Sequence, residues 1–225
     1  MNVLVTGGAR GLGLAISLYY LKNGHYVIVN YNNSEAQALD LKDKYGDKVT
    51  LVKANISDET EVKGMLENLG SIDIIINNAG IARDCDPIDK TAEDFLEVLK
   101  VNLVGTFLVS KYAVNHMDKG CIVNISSTNA LDTYYPESMD YDASKAGVIS
   151  LTHNFSLYLK NRNIRVNAVC PDWIDTDMNL GLDEEYKKSL GEFLKPEEVA
   201  KVVYDVSMDE NINDAVIRVG DNSVK

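Results

Sequence analysis

Short apolar runs alternate with longer amphipathic stretches along the whole chain. The apolar runs are typical of buried β-strands, and the stretches between them repeat their apolar residues at helical spacing. The predicted strands are residues 3–5, 26–29, 49–52, 72–76, 121–125, 165–169 and 215–219. The predicted helices are residues 12–22, 34–45, 58–69, 92–116, 142–160 and 196–206. This alternation predicts an α/β fold with a doubly wound, mostly parallel seven-stranded sheet and helices on both of its faces.

The connection between the first strand and the first helix is rich in glycine. It reads Thr6-Gly7-Gly8-Ala9-Arg10-Gly11-Leu12-Gly13. Glycine adopts backbone angles that are closed to other residues, and it lets the main chain approach a pyrophosphate closely. The free amide groups at the start of the helix add hydrogen-bond donors and a positive dipole end. A strand, a glycine-rich turn and a helix in this order predict a dinucleotide-binding site.

The end of the second strand indicates which dinucleotide this site prefers. In nucleotide-binding folds of this kind, an acidic residue at that position binds the ribose 2′-hydroxyl of NAD. This chain has Asn30 and Tyr31 there, and no carboxylate that would repel a 2′-phosphate. Arg10 in the glycine-rich turn is a candidate cation for that phosphate, unless it is an ordinary solvated surface residue. The sequence therefore predicts NADP(H) in preference to NAD(H).

A second group of candidate functional residues lies in the middle of the chain. Tyr141 and Lys145 are four residues apart, which places them on the same face of a helix. An ammonium group there favours the phenolate, so we expect Lys145 to lower the pKa of Tyr141. Ser126 and Ser127 end the apolar run that precedes this helix. These residue types together indicate proton exchange with a substrate oxygen.

With these residues identified, the chain resembles the short-chain dehydrogenase/reductase family over nearly its whole length. The matching segments are residues 6–13, Asn77-Asn78-Ala79-Gly80, Asn102, the Ser-Tyr-Lys set, and residues 164–167 leading to Pro171. Within the family, the chain is most similar to the 3-oxoacyl-acyl-carrier-protein reductases. The resemblance implies a Rossmann fold and an NADP(H)- or NAD(H)-dependent oxidoreductase that interconverts a carbonyl and a secondary alcohol by hydride transfer.

The resemblance also implies a role for each matching residue. Tyr141 would donate the proton to the carbonyl, or accept it in the alcohol direction. Lys145 would lower the pKa of Tyr141 and hold the nicotinamide ribose hydroxyls. Ser127 would hydrogen-bond the substrate oxygen, and Asn102 would hold a water molecule in the proton relay. The residues expected to bind the cofactor are Gly7, Arg10, Gly11, Leu12, Gly13, Asn30, Tyr31, Asn55, Ile56, Asn78, Ala79, Gly80, Tyr141, Lys145, Pro171, Ile174 and Thr176.

The spacing between the serine and the tyrosine departs from the family pattern. Ser127 and Tyr141 are separated by one residue more than is usual in the family, which indicates a one-residue insertion at the mouth of the site. Counted strictly from Tyr141, Thr128 would take the place of the serine. Ser127 follows residues 123–126 as the family motif does, so it is the predicted residue, with Thr128 as the alternative.

Two further positions differ from the family pattern. Asp172 stands where the family normally has the glycine of a Pro-Gly pair, beside the expected nicotinamide pocket. Its negative charge would repel anionic substrates or face solvent. Asn55 replaces an acidic residue near the adenine pocket and keeps a hydrogen-bonding side chain.

Size and composition limit the class of protein. At 225 residues and 45% hydrophobic content, the chain fits one α/β domain that spans residues 1–225. Its apolar runs are too short to span a membrane, and its first strand carries the phosphate-binding turn, so a cytoplasmic location is expected. The three cysteines and three histidines match neither a disulfide framework nor a metal site, so no metal is predicted. Cys121 and Cys170 fall in apolar strands and are predicted to lie in the core.

Negative charge is concentrated in the last quarter of the chain. The formal net charge is −12, and residues 172–214 alone contain 13 acidic and 4 basic residues, a net of −9. This argues against nucleic acid as a partner, because phosphate binding needs a positive field. The same segment contains the expected substrate lid, residues 177–195, whose charge would repel an acidic acyl carrier protein unless its carboxylates point away from the docking face. A 3-oxoacyl thioester and a small neutral ketone, sugar or sterol-like alcohol both stay open as substrates.

The resemblance implies a homodimer or homotetramer, in which the helices beginning near residues 92 and 142 pack against a second subunit. The alternative to an enzyme is a non-catalytic dinucleotide-binding sensor or scaffold. Such proteins usually lack the tyrosine or the lysine, and this chain has both Tyr141 and Lys145.

Overall fold

The computed structural model describes residues 1–179, 185, 187 and 190–220. Seven strands form one sheet in the order β3-β2-β1-β4-β5-β6-β7, and every neighbouring pair is parallel. The strands are β1 (Asn2–Val5), β2 (Tyr26–Tyr31), β3 (Val49–Lys53), β4 (Ile74–Asn77), β5 (Gly120–Ile125), β6 (Ile164–Pro171) and β7 (Val216–Val219). The predicted seven-stranded α/β sheet is therefore confirmed, with small shifts at the strand ends.

Helices cover both faces of this sheet. Those with both ends in the described part of the chain are α1 (Gly11–Lys22), α2 (Glu35–Tyr45), α3 (Glu59–Glu67), α4 (Ala92–Leu99), α5 (Thr106–Ala113), α6 (Met139–Leu159) and α7 (Pro196–Met208). The single helix predicted over residues 92–116 is wrong in detail, because a π-helical turn, Lys100–Gly105, separates α4 from α5. Helix α6 begins three residues earlier than predicted, so Tyr141 lies in its first turn.

The core consists of two apolar layers, one on each side of the sheet. Successive side chains of a strand point to opposite faces, so Val3 and Val5 pack toward α1, α2 and α7, whereas Leu4 packs toward α3, α5 and α6. All three are fully buried. Burial on both faces explains why the strands are continuous apolar runs in the sequence.

The order of the strands brings the candidate functional residues together. Strands β1, β4, β5 and β6 are neighbours, and their carboxyl ends lie at the same edge of the sheet. The glycine-rich turn, Asn78, Ser127 and Pro171 are at or just beyond these ends. The chain order reverses between β1 and β4, and such a switch point leaves a crevice where ligands bind in open α/β sheets.

Part of the predicted lid can be located. Residues Asp177–Asn179 form a short 3₁₀ turn beside the carboxyl end of β6, and residues 190–195 lead into α7. Residues 180–184, 186, 188 and 189 of the predicted lid lie outside the described residues. Within the described part of the chain, no helix is both long enough and apolar enough to cross a bilayer.

Candidate active site

A cleft of about 830 Å³ runs along the carboxyl edge of the sheet. It begins beside Tyr31 and Asn55, passes the glycine-rich turn, and ends at Tyr141 and Trp173. With the exception of Asn102, every residue predicted to take part in catalysis or cofactor binding lines this cleft. The geometry therefore unites residues that lie up to about 170 positions apart in the sequence.

The glycine-rich turn has no space for larger side chains. Gly7 and Gly11 have φ values of 61° and 51°, in the left-handed region that favours glycine. A Cβ at Gly13 would overlap the carbonyl oxygen of Gly7 and lie 2.6 Å from Nδ2 of Asn78. Helix α1 begins at Gly11, and no side chain among the described residues caps its first amides. The turn and the helix start therefore have the geometry that a pyrophosphate site needs, and pyrophosphate binding there stays a prediction.

Thr6 fixes the glycine-rich turn to the loop that follows β4. Its Oγ1 accepts hydrogen bonds from the amides of Asn78 and Ala79 at 2.9 and 3.0 Å. In return, Nδ2 of Asn78 donates to the carbonyl oxygen of Thr6 at 2.9 Å. These contacts hold Asn78, Ala79 and Gly80 as one wall of the cleft, so Thr6 is a supporting residue that the sequence analysis did not assign.

Polar side chains line the end of the cleft where a 2′-phosphate is predicted to bind. Asn30 accepts from the amide of Gly7 and donates to the carbonyl of Ala54 at 3.0 Å, so its side chain braces the turn. Arg10 is half exposed, and its Nη1 lies 2.6 Å from Oδ2 of Asp177. Asn55 lines the cleft and accepts hydrogen bonds from Ser57. Arg10 is thus close to the cleft, and it is paired with a carboxylate of the lid segment.

Tyr141 and Lys145 lie one helical turn apart on α6, at the other end of the cleft. The Lys145 ammonium lies 5.4 Å from the centroid of the Tyr141 ring and donates to the carbonyl oxygen of Ile125 at 2.8 Å. Burial raises the pKa of Tyr141 to about 12, and the hydrogen bond with Ser127 opposes this rise. In this structure the pKa of Tyr141 is therefore raised and not lowered, because burial is the largest influence on it, and the effect of Lys145 on this pKa stays a prediction.

Lys145 is itself strongly affected by its surroundings. Its side chain is buried, and this desolvation lowers its pKa to about 8, although the nearby Cys170 thiol acts in the opposite direction. A buried ammonium needs hydrogen-bond acceptors, and the Ile125 carbonyl supplies one. The side chain also lies close to Gly80, where a Cβ would be 3.5 Å from the ammonium nitrogen.

Ser127 faces the cleft and is held by two further residues. Its Oγ donates to Oδ1 of Asn129 at 3.1 Å, and Nδ2 of Asn129 donates to Asp142 at 2.6 Å. The alternative residue, Thr128, is 1% exposed, whereas Ser127 lines the cleft. The geometry therefore favours Ser127. The sequence analysis missed Asn129 and Asp142, because no motif or periodicity links residues 13 positions apart across a loop and a helix start.

Asn102 lies behind the cleft wall. It is buried in the π-helical turn, and its amide group exchanges hydrogen bonds with the main chain of Ile81 at 2.8 and 2.9 Å. Its Nδ2 also donates to the Ser144 hydroxyl at 3.0 Å, which ties the turn to α6. Single π-helical turns often occur at functional sites. Asn102 thus connects the loop after β4 to the helix that carries Tyr141 and Lys145.

The segment after β6 closes the substrate end of the cleft. Asp172 is 8% exposed and accepts from the amide of Trp173 at 2.9 Å, so the prediction that it faces solvent is excluded. Trp173 packs edge-on against Tyr135 and stacks on Phe193. Pro171, Ile174 and Thr176, which are predicted to bind the cofactor, line the cleft. This end of the site is bordered by aromatic rings and by a buried carboxylate.

Two of the three cysteines lie in the core of the sheet. Cys121 and Cys170 are fully buried, as predicted, and burial raises the pKa of both thiols. Among the described residues, no group of three or more His, Cys, Asp or Glu side chains is arranged to hold a metal ion.

The chain matches known proteins over most of its length. Residues 1–187 match the family model described as short chain dehydrogenase. A 3-oxoacyl-[acyl-carrier-protein] reductase of Thermotoga maritima is 38% identical over 223 residues, which cover 92% of this chain and 90% of that protein. Its counterpart in Aquifex aeolicus is 41% identical, covering 89% and 87%. Glucose 1-dehydrogenase 2 of Bacillus subtilis is 33% identical, covering 88% and 84%.

Solved structures have the same fold. A short chain dehydrogenase of Burkholderia cenocepacia, in complex with NADP, has a TM-score of 0.88 and 30% identity, covering 96% of this chain and 95% of that one. A dehydrogenase/reductase of Sinorhizobium meliloti has a TM-score of 0.86 and 29% identity, covering 97% and 92%. The family model, these relatives and the fold agree, so the chain belongs to the short-chain dehydrogenase/reductase family of NAD(P)-dependent oxidoreductases.

Proposed function

We propose that this protein interconverts a carbonyl and a secondary alcohol by hydride transfer, with Tyr141 as the proton donor or acceptor. The observation that carries the proposal is the arrangement at one end of the cleft. The Tyr141 ring lies beside the buried Lys145 ammonium and the Ser127 hydroxyl, while the other end has a glycine-rich turn that fits a pyrophosphate. When bound, a nicotinamide dinucleotide supplies or accepts the hydride.

The protein's own residues manage the proton and the developing charge. In the direction of reduction, negative charge develops on the substrate oxygen as the carbonyl carbon gains hydride. Ser127 donates a hydrogen bond to that oxygen, and Tyr141 transfers its phenolic proton to it. The phenol of Tyr141, whose pKa burial raises to about 12, carries its proton at neutral pH, and the raised pKa makes it a weaker acid than a free tyrosine. Positioned proton transfer of this kind contributes roughly 10²–10⁴ in rate.

Lys145 and Asn102 assist the proton transfer from Tyr141. Lys145 holds the ribose hydroxyls of the cofactor and places a positive charge beside the phenolate that Tyr141 leaves after proton transfer. Asn102 holds the helix of Tyr141 through Ser144 and the loop through Ile81, and its main chain is the proposed anchor for a relay water.

We further propose that the cleft prefers NADP(H) over NAD(H). Asn30 and Tyr31 end β2 without a carboxylate, and Arg10 lies at the adjoining turn. Binding titrations of NADPH and NADH test this preference. Arg10→Ala is expected to weaken NADPH binding about tenfold or more and to leave NADH binding nearly unchanged. Equal affinities in the unmodified protein, or an Arg10→Ala variant that keeps its preference, would overturn the proposal.

The substrate belongs to one of two classes. The relatives named as 3-oxoacyl-[acyl-carrier-protein] reductases favour a 3-oxoacyl thioester. The buried Asp172 carboxylate and the acidic segment after it favour a small neutral ketone, sugar or sterol-like alcohol. A panel of both classes, offered with NADPH, separates them by their values of kcat/KM.

A dimer or tetramer is proposed as the functional assembly. The π-helical turn Lys100–Gly105 and helices α5 and α6 form a shallow apolar groove, and Val104 and Phe107 on its rim are about two-fifths exposed. A second copy of the chain would cover this groove. Exposed apolar surface of this kind on a folded protein commonly marks an interface.

The experiment that tests the proposed reaction is the initial rate of NADPH oxidation with a short 3-oxoacyl thioester. Tyr141→Phe removes only the phenolic hydroxyl, and it is expected to lower kcat at least a hundredfold. Tyr158→Phe is the matched control, because Tyr158 lies on the same helix and is 74% exposed. Equal rates for the two variants would refute the role of Tyr141. Binding of NADPH without turnover of any carbonyl in the panel would favour the sensor or scaffold instead.

A further inference from the structure

A buried ion pair joins the loop after β4 to the first turn of α6. Lys90 Nζ lies 2.9 Å from Oδ2 of Asp140, and the two side chains are 2% and 0% exposed. Charged side chains are rarely buried this completely without a partner, because both lose their hydration. Neither residue belongs to the catalytic set proposed above, yet Asp140 directly precedes Tyr141 in the chain.

Each partner of this pair also binds the main chain. Lys90 Nζ donates to the carbonyl oxygen of Arg83 at 2.6 Å. Oδ1 of Asp140 accepts from the amide of Tyr141 at 2.9 Å. The ion pair therefore forms a continuous link from the loop to the peptide nitrogen of Tyr141. It also supplies hydrogen-bond partners for two buried charges, which a stable buried pair requires.

Two further hydrogen bonds join the loop after β4 to the residues at the start of α6. The Ser138 hydroxyl donates to Oδ1 of Asp84 at 2.6 Å, and the amide of Cys85 donates to the carbonyl oxygen of Glu137 at 3.3 Å. Arg83, Asp84 and Ser138 line the cleft. Residues 83–90 and 137–141 thus form one wall of the catalytic end of the cleft, and the Lys90–Asp140 pair is its buried anchor.

We propose that Lys90 and Asp140 are positioning residues, whose ion pair fixes the first turn of α6 against residues 83–90 and so places the Tyr141 hydroxyl for proton transfer. This inference rests on the proposed reaction. A misplacement of about 1 Å at a reacting group can cost roughly a hundredfold in rate, which is the scale on which such an anchor acts. The ion pair has no net charge, so the opposite electrostatic effects of Lys90 and Asp140 on Tyr141 largely cancel.

Removing one partner would leave the other charge uncompensated near Tyr141. An isolated Lys90 ammonium favours the phenolate, whereas an isolated Asp140 carboxylate disfavours it. Other groups also face Tyr141, and they stay unchanged when the pair is altered. These groups are Asp84 from the loop, Asp142 and Lys145 from α6, Ser127 after β5 and Cys170 from β6.

The test compares Lys90→Met, Asp140→Asn and the double variant in NADPH-dependent turnover across pH. Each single variant is expected to lower kcat about tenfold to a hundredfold, while KM and the Kd for NADPH change by less than about threefold. The pH midpoint of kcat is expected to fall in Asp140→Asn and to rise in Lys90→Met. The double variant is expected to return the midpoint toward that of the unmodified protein and to regain part of kcat.

Control variants make the same chemical changes elsewhere. Lys201 and Asp205 form an exposed ion pair on α7, so Lys201→Met and Asp205→Asn should leave kcat and its pH midpoint unchanged. Lys90→Arg keeps the charge, and it is expected to keep the midpoint even if the Lys90→Met variant does not fold. Unchanged kcat in both single variants, or midpoints that move in the same direction, would overturn the inference.

A readout that does not depend on turnover separates this inference from the proposed reaction. Amide hydrogen exchange of residues 137–145 is expected to accelerate at least tenfold in Lys90→Met, whereas exchange in α7 should not change. If the unmodified protein reduces no carbonyl but the exchange of residues 137–145 accelerates in Lys90→Met, the proposed reaction is refuted and the positioning role of the ion pair is supported. If the exchange of residues 137–145 is unchanged in Lys90→Met, the positioning role of the ion pair is refuted, whether or not the protein reduces a carbonyl.

Discussion

Gly13 shows how closely the cofactor end of the cleft is packed at the scale of a single residue. A Cβ there would overlap the Gly7 carbonyl oxygen, whereas a Cβ at Gly64 in α3 would meet nothing within 4 Å. Gly13→Ala is expected to weaken NADPH binding at least tenfold. Gly64→Ala is expected to raise the free energy of unfolding by about 0.5–1 kcal/mol, because alanine is the better helix former.

Fluorescence titration with NADPH and urea denaturation of both variants check this pair of predictions. Tight NADPH binding by Gly13→Ala would show that the turn does not fit the cofactor in the way described.

The pKa of Lys145 predicts how stability depends on pH. Burial lowers this pKa from 10.5 to about 8, so between pH 8 and 10 the unfolded chain binds the proton more strongly than the folded protein. The contribution of Lys145 to stability therefore rises with pH through this range and is constant below about pH 7. Lys145→Met is expected to remove about 2 kcal/mol of the increase between pH 7.5 and pH 9.5.

Urea denaturation at the two pH values, for the unmodified protein and the variant, measures this difference. The same pH dependence in both proteins would mean that Lys145 titrates normally and is not desolvated as described.

The sequence predicted which residues line the cleft better than which residues hold them in place. Glycine, asparagine and serine positions directly after strands could be found because parallel strands end at one edge of the sheet. The supports could not be found in this way. Lys90 and Asp140 are 50 positions apart, and the Asn129–Asp142 contact crosses a loop, so neither pair has a periodic signal. The raised pKa of Tyr141 also needed burial to be known, which helical spacing alone does not give.

At the scale of elements, the 3₁₀ turn Asp177–Asn179 lies against the glycine-rich turn. The Asp177 carboxylate pairs with Arg10 and would lie 3.1 Å from a Cβ at Gly11. When Arg10 binds the 2′-phosphate of NADPH as proposed, this carboxylate would compete with the phosphate for the same cation. Asp177→Asn is expected to strengthen NADPH binding about threefold to tenfold, and to strengthen it less for NADH.

Isothermal titration with both dinucleotides measures this change, and Asp205→Asn serves as the control because it removes an exposed carboxylate far from the cleft. Weaker NADPH binding by Asp177→Asn would show that Asp177 supports the site instead of competing for Arg10.

The helical stretch that carries Asn102 could be predicted only in part from its apolar spacing. Its apolar spacing predicts one helix over residues 92–116, but the structure has a π-helical turn at Lys100–Gly105. The amide of Asn102 binds Ile81 and Ser144, and these tertiary hydrogen bonds accompany the locally wider turn. Propensity does not encode such contacts, whereas the alternation of strands and helices, which depends on burial, was predicted correctly.

At the scale of the whole molecule, the apolar groove between the π-helical turn, α5 and α6 predicts self-association. Val104→Arg places a charge on its rim and is expected to shift a dimer or tetramer to smaller species. Leu39→Arg is the matched control, because Leu39 is a half-exposed apolar residue on α2, away from the groove. Light scattering coupled to size exclusion measures the mass of each species. A monomer in the unmodified protein, or dissociation caused by Leu39→Arg alone, would contradict the proposed interface.

The central claim is that this fold brings a hydride donor, Tyr141 and a carbonyl carbon together in one cleft. The most direct test is to supply NADPH that carries deuterium at both C4 positions of the nicotinamide, and to analyse the product of a turned-over ketone or 3-oxoacyl thioester by mass spectrometry. We expect one deuterium at the carbinol carbon in the unmodified protein, and product formation at least a hundredfold slower with Tyr141→Phe. An unlabelled product, or labelled product formed equally fast by Tyr141→Phe, would contradict the account.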